Sequence, residues 1–170
     1  MRRALFNLVL LFSITPIYAD VIESGAYIIG SVGYGYVGNN TYQLPSNNHS
    51  YTLGLTAGYA FNRYVAIDGG ATFMPNNNGY GVFSNYVLTS AAARVSLPIG
   101  DFFSAYLHAG PGALLNTTAG TAQAGAFLGM GGIFKINGSL GINIEDYGIW
   151  LPSNVGNDIN IFAVGLVYAF

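Results

Sequence analysis

The stretch 50–61, SYTLGLTAGYAF, alternates strictly between two kinds of side chain. One parity is apolar and mostly large: Tyr51, Leu53, Leu55, Ala57, Tyr59 and Phe61. The other parity carries only Gly, Ala, Ser and Thr. Successive side chains of a β-strand point to opposite faces, so this period of two predicts a strand with one apolar face and one small, weakly polar face. The apolar face is too hydrophobic to lie against water.

The same alternation recurs along the chain. It predicts eight strands, at 25–37, 49–61, 64–74, 85–97, 102–114, 121–134, 138–149 and 159–170. The gaps after the odd-numbered strands are long: GNNTYQLPSNN, PNNNGYGVFS, NTTAG and LPSNVGN. The gaps after the even-numbered strands are short: NR, PIGD and KING. Such alternation predicts a sheet with loops at one end and tight turns at the other, as in outer-membrane barrels.

A sheet with an apolar outer face would leave unpaired backbone groups at both edges in lipid, so we expect strand eight to pair with strand one. The predicted fold is therefore all-β: an eight-stranded antiparallel up-and-down transmembrane β-barrel with long external loops and short periplasmic turns. In that fold the ring of Phe170 lies in an aromatic belt at the periplasmic interface. An eight-stranded barrel has an interior just wide enough for side chains. The inward residues are mostly Gly, Ala, Ser and Thr with a few larger ones, and they predict an interior filled by side chains and water, with no open pore.

The composition supports this prediction. Charged residues make up 7% of the chain, against roughly 25% in soluble domains. Residues 1–19 have the layout of a cleaved signal peptide, with Arg2 and Arg3 before a short apolar run, which leaves 20–170 as the barrel domain. Three basic and seven acidic residues then remain, a formal net charge of −4. This balance argues against nucleic acid as a partner.

Four ionisable residues fall within the predicted strands on the inward parity: Asp68, Arg94, His108 and Glu145. An Arg facing lipid would cost about 2–4 kcal/mol, so the inward placement is favoured. Because an unpaired buried charge is costly, we expect Arg94 to form an ion pair with Asp68 or Glu145 in a structural cluster. Two alternatives stay open: each charge meets only water in the lumen, or the group forms an ion or proton path.

Four segments carry a family resemblance: GAYIIGSVGYGYVG, AYLHAGPGALL, GSLGINIEDYGIW and the terminal VGLVYAF. With the signal peptide, they resemble small eight-stranded outer-membrane proteins of the OmpA/OmpX-like, opacity-protein group. The resemblance implies that the barrel-assembly machinery reads the last strand as a C-terminal signal, through Phe162, Val164, Leu166, Tyr168 and Phe170. Many relatives add a peptidoglycan-binding domain. Nothing follows Phe170 here, so we expect no such tether.

The other motifs in the sequence are weaker evidence of a function. GYGYVG, with Gly33, Gly35 and Gly38, matches a dinucleotide fingerprint, but that motif needs a following helix, and a loop follows instead. These glycines are better explained by packing, because their missing side chains leave space for neighbouring side chains that point into the barrel. His49, Ser50 and Asp158 lie near the outer rim, yet nothing fixes the geometry that catalysis requires. Two His and no Cys show no metal-ligand spacing. We expect no cofactor, no metal and no enzymatic activity.

The sequence favours a structural or surface-interaction role, adhesin-like, with the external loops 38–48, 75–85, 115–120 and 150–158 as the contact surface. The expected partners are outer-membrane lipid and lipopolysaccharide, the barrel-assembly machinery, and host or surface ligands. The main alternative is a narrow, low-conductance channel. An outer-membrane enzyme and a soluble carrier of apolar ligands are less favoured, and the soluble carrier would need charged outward positions that the sequence lacks.

Overall fold

The computed structural model describes residues 22–37, 49–78, 82–151 and 159–170. It has eight strands: β1 (Gly25–Val37), β2 (His49–Asn62), β3 (Val65–Asn78), β4 (Val82–Ile99), β5 (Phe103–Asn116), β6 (Thr121–Lys135), β7 (Leu140–Trp150) and β8 (Ile159–Ala169). The described residues contain no helix long and apolar enough to cross a membrane. The predicted signal peptide 1–19 lies outside the described residues.

Every strand pairs antiparallel with its neighbours in chain order, and the barrel is closed. The closing ladder joins β1 to β8, from Tyr27 opposite Ala169 to Val37 opposite Ile159. The backbone N–H of Phe170 extends it by donating to the carbonyl of Ala26 at 3.0 Å. Closure satisfies the edge groups that a lipid-facing sheet cannot leave free. The predicted fold, strand number and closure are confirmed.

The outward faces follow from the alternation in sequence. Leu53, Val95 and Leu166 are 63%, 61% and 58% exposed, which places the apolar parity on the outside as predicted. At the end with the short turns, Phe61, Phe102, Tyr168 and Phe170 are all exposed. At the opposite end, Tyr36, Tyr51 and Trp150 are also exposed. These two aromatic sets bracket the apolar wall, as the interfacial belts of membrane barrels do.

One predicted loop is wrong. The segment 75–85 is mostly strand, because β3 and β4 stay paired from Pro75 opposite Asn85 to Asn78 opposite Val82. Pro75 lies within β3, and its carbonyl accepts a hydrogen bond from the hydroxyl of Ser50. Sequence alternation is weak in this Asn-rich stretch, so the pairing was not visible. β3 and β4 therefore form a long hairpin.

The other connections are short where the structure describes them. The predicted loop 115–120 shrinks to a turn at 117–120, with Gly120 at φ +66°. The Asn116 side chain caps this turn by accepting from the backbone N–H groups of Thr118 and Ala119. Asn62 and Asn137 cap the turns at 63–64 and 136–139 in the same way. The predicted loop 38–48 and residues 152–158 lie outside the described residues.

Candidate functional site in the barrel interior

The barrel interior has three layers. Toward the long-loop end, an apolar cluster fills the lumen: Met74, Leu88, Ala92, Leu114, Phe127, Tyr147, Ile149, Leu151, Ile159, Ile161 and Ala163. Toward the short-turn end, a second cluster contains Ile22, Tyr27, Ile29, Ala60, Ala66, Tyr106, Ile133 and Val167. The buried ionisable side chains Asp68, Arg94, His108 and Glu145 lie between them. The expectation of a mostly small-residue interior was wrong at the long-loop end, because the inward residues there are large and apolar.

Asp68, on β3, is the centre of the polar layer. One carboxylate oxygen accepts a hydrogen bond from the hydroxyl of Tyr27 on β1. The other accepts from Arg94 Nε at 2.9 Å and lies 3.4 Å from His108 Nδ1. Three strands besides its own thus direct donors or polar atoms at a single carboxylate. This convergence offsets the cost of burying the charge.

Arg94, on β4, is the most enclosed charged residue in the part of the chain that the structure describes, with 1% of its surface exposed. Its guanidinium carbon lies 4.2 Å from the ring centroid of Tyr106 and 5.2 Å from that of Tyr27. These distances are typical of cation–π contacts. The ion pair of Arg94 is with Asp68; among the described residues, Arg94 has no ion pair with Glu145.

Glu145, on β7, is held by a different set of contacts. The Tyr106 hydroxyl lies 2.8 Å from Glu145 Oε2 and also 2.8 Å from Asn143 Oδ1. That hydroxyl has one proton and donates to one of these oxygens at a time. Tyr106 therefore links the two halves of the layer, since its ring stacks on Arg94 and its hydroxyl meets Glu145.

His108, on β5, packs between aromatic rings. Its imidazole makes edge contacts with Tyr106 and Phe127, with centroids 5.4 Å and 4.9 Å apart. A side chain at Gly129 would collide with the imidazole, so glycine at that position makes room for the ring. Gly35 of the sequence motif serves a similar end, because a Cβ there would crowd Met74 and Ile161; Gly38 lies outside the described residues.

The space left in this layer is small. A cavity bordered by Asp68, Thr72, His108, Phe127 and Glu145 has room for about one water molecule. Apolar side chains close the lumen on both sides of it. The arrangement can hold a rigid hydrogen-bonded core, but the described interior has no continuous passage for a hydrated ion.

The structure does not bring His49 and Ser50 together at the rim. His49 stacks on Tyr34, with centroids 5.4 Å apart, and its side chain is exposed, whereas Ser50 is buried and donates to Pro75. Adjacent residues of a strand point to opposite faces, so these two side chains do not meet. Asp158 lies outside the described residues. No cluster of metal-ligating side chains occurs in the part of the chain that the structure describes.

The residues of the predicted C-terminal signal share one face of β8. Phe162, Val164, Leu166, Tyr168 and Phe170 are all exposed on the outer wall. Tyr168 and Phe170 contact each other edge to face, with centroids 5.1 Å apart. The face is continuous from the end of the barrel to the level of Phe162.

Three residues that matter were missed in the sequence. Tyr27 and Tyr106 share the inward parity with their neighbours, but nothing indicated that they would meet Asp68 and Arg94 across the lumen. Asp146 faces outward and is exposed. The sequence did contain a signal for this placement, because Asp146 directly follows the inward Glu145 and adjacent strand residues point to opposite faces.

Known proteins support the membrane assignment that the geometry suggests. The family model described as outer membrane protein beta-barrel domain matches residues 4–170. No curated protein matches the sequence. Several solved structures share the fold, at sequence identities that show the fold alone.

Neisserial surface protein A (NspA) has a TM-score of 0.69 at 12% identity, covering 86% of this chain and 98% of that one. Ail of Yersinia pestis, solved with the heparin analogue sucrose octasulfate, has a TM-score of 0.63 at 17% identity, covering 88% and 100%. OprG of Pseudomonas aeruginosa has a TM-score of 0.60 at 12% identity, covering 91% and 99%. The closed barrel, its apolar wall and the family match over nearly the whole sequence together show that this chain belongs to the outer-membrane β-barrel proteins, whose place is the Gram-negative outer membrane.

Proposed function

We propose that this protein is a surface-interaction protein, whose sealed barrel holds a projecting hairpin and loops at the cell surface. The supporting observation is the length of the β3–β4 hairpin. β4 has 18 residues, about 60 Å of strand at ~3.3 Å per residue. With a tilt near 40°, that is roughly 45 Å of height, well above the ~25 Å apolar band. The paired tip therefore stands clear of the membrane on the long-loop side.

The chemistry of this surface is neutral. The segments 38–48, 75–85 and 115–120 carry no charged residue, and 150–158 carries only Asp158. Asn, Ser, Thr, Gly and Tyr dominate instead. The neighbour Ail was solved with a sulfated ligand, but cationic side chains are the usual partners of such groups, and these segments have none. We infer a neutral partner for this chain, a glycan or protein bound by hydrogen bonds and aromatic contacts.

Trimming the hairpin tests this proposal. Cells that display a variant with 75–85 replaced by a two-residue Asn-Gly turn should lose adherence to epithelial monolayers, down to the level of cells without the protein. The adherence of wild-type cells should change little as salt is raised, because exposed charge pairs are screened but neutral contacts are not. The matched control replaces the turn 117–120 and should adhere like wild type. Undiminished adherence of the trimmed cells, with surface display verified, would refute the role of the hairpin.

We also propose that residues 1–19 are removed on export and that the exposed face of β8 is the signal read by the assembly machinery. On this face the side chains of Phe162, Leu166 and Phe170 are exposed on the outer wall of the barrel. The terminal ring is 75% exposed, so it contributes little to packing within the barrel.

Removing Phe170 should separate assembly from stability. We expect the shortened chain to accumulate unfolded in cells, whereas the purified chain refolds in detergent with a stability lower by only about 1 kcal/mol, the net contribution of the lost hydrogen bond from Phe170 N–H to the Ala26 carbonyl. Heat-modifiable gel migration measures the folded fraction in both settings. Phe102→Ala is the control, because that exposed ring lies in a turn away from β8. Normal folding of the shortened chain in cells would show that Phe170 is not a signal.

The sealed interior does not favour the narrow-channel alternative. Both apolar clusters would have to part before an ion could pass between the ends. The charges between them pair with each other or with tyrosines rather than line a path. We propose that the buried charged cluster has a structural role. It consists of Asp68, Arg94, His108 and Glu145, and it keeps the barrel that carries the β3–β4 hairpin rigid.

A further inference from the structure

A groove on the outer wall of the barrel has features that neither the fold nor surface display requires. It lies over β5 to β8 and has a volume of about 270 Å³. Apolar side chains form most of its border, from Leu107, Leu128, Met130 and Trp150. Two polar side chains, Asp146 and Asn160, also line it. Both are exposed on the face that meets hydrocarbon.

The groove exists because of a missing side chain. Gly148 shares the outward parity of Asp146 and Trp150 on β7 but has no side chain, and it lies buried in the lining of the groove. A Cβ at Gly148 would run into the carbonyl oxygen of Ile159 on β8. Close approach of the two backbones thus keeps this position a glycine and opens a notch beside Asp146.

Asp146 occupies an unfavourable position for a carboxylate. It lies opposite Met130 on β6 and Phe162 on β8, and both of those side chains face outward. No described residue donates a hydrogen bond to its carboxylate. Trp150 lies four positions further along β7, a difference of roughly 10 Å in depth at the usual rise and tilt. An ionisable side chain at such depth is costly and calls for a partner.

A second copy of the chain is a poor source of that partner. Beyond the first three residues, the sequence contains only three basic residues, Arg63, Arg94 and Lys135. Arg94 is buried in the lumen. Arg63 lies in a turn and Lys135 at the last position of β6, both at the short-turn end. None of them can meet Asp146 at mid-depth on a neighbouring barrel.

We propose that this groove binds a membrane-soluble amphiphile that carries an ammonium group. Asp146 is its counter-ion, and the side-chain oxygen of Asn160 accepts a second hydrogen bond from the same group. The indole of Trp150 offers a π-face to the cation. Leu107, Leu128 and Met130 hold the apolar chain. This site faces the membrane and is independent of the hairpin and loops of the proposed function.

The chain has a single tryptophan, Trp150, so the groove contains its own fluorescent reporter. The full-length protein is placed in phosphatidylcholine nanodiscs and titrated with dodecylamine brominated in its chain, then with the equally brominated dodecanol. Bromine near Trp150 quenches its emission. We expect half-maximal quenching by the amine at about one tenth of the concentration that the alcohol needs, the factor that one charge-assisted hydrogen bond supplies.

Asp146→Asn should abolish this tenfold preference while the folded barrel still migrates as wild type on an unheated gel. The matched control is Asp101→Asn, in the turn 100–102, which removes the same charge away from the groove and should keep the preference. Equal quenching by amine and alcohol in wild type would overturn the proposal. An undiminished preference for the amine in Asp146→Asn would also overturn it. A wild-type dimer that becomes monomeric in Asp146→Asn would overturn it too, because a second barrel would then cover the groove.

Discussion

Replacing Arg94 by alanine should destabilise the folded barrel by about 3–5 kcal/mol, the range for breaking a buried ion pair by removing one partner. The carboxylate of Asp68 would stay buried in the middle of the lumen, with only the Tyr27 hydroxyl and His108 left near it. The Tyr106 ring would also lose the cation that packs on it. A lower denaturant midpoint in detergent micelles, followed by gel mobility, measures the loss.

A second substitution tests whether the unpaired charge is the cause. Adding Asp68→Asn to the alanine variant removes the orphaned carboxylate, so it should recover a large part of the lost stability. Arg63→Ala is the matched control, because Arg63 lies in the turn 63–64 and a surface substitution stays within about 0.5 kcal/mol. If Arg94→Ala were no more sensitive to denaturant than Arg63→Ala, the polar layer would not stabilise the barrel.

The sequence predicts the wall of this barrel better than its interior. Outward residues such as Leu53 and Leu166 face a uniform solvent, hydrocarbon, so a period of two is enough to place them. Arg94 and Asp68 could be put on the inward face for the same reason. Which inward groups meet depends on the stagger between strands, a property of the closed barrel that no single segment carries. The choice of Asp68 over Glu145 as the partner of Arg94 therefore needed the structure.

The two errors have a related cause. The hairpin at 75–85 is held by backbone pairing, and its Asn-rich sequence has no alternation that reveals the ladder. The apolar cluster around Phe127 and Ile161 lies where the interior was expected to hold small residues. In that part of the barrel both faces of the strands are apolar, so the period of two weakens and the sequence does not show which face is filled.

The β4–β5 ladder contains a glycine, Gly110, at which an added methyl group should lower the stability of the barrel. It pairs Ser90 with Gly112 and Ala93 with Ala109, but the two pairs between them are not made. Pro111 lies in this gap and has no N–H to donate. A Cβ at the neighbouring Gly110 would collide with the carbonyl oxygen of Ala91 and lie 2.8 Å from the Cα of Ala92. Those atoms are backbone, so no side-chain rotation can relieve the contact.

Gly110→Ala should therefore destabilise the barrel by about 1–3 kcal/mol, the usual range for overpacking. The matched control is Gly30→Ala on the outer face of β1, where a Cβ would meet no heavy atom within 4 Å. Alanine there should leave stability unchanged or raise it by about 0.5–1 kcal/mol, because glycine loses more backbone entropy on folding. Denaturant midpoints of the two variants, measured side by side, decide the matter. Equal midpoints would mean that β4 and β5 can separate at Gly110 without cost, and the gap in the ladder would then be a flexible joint rather than a tight contact.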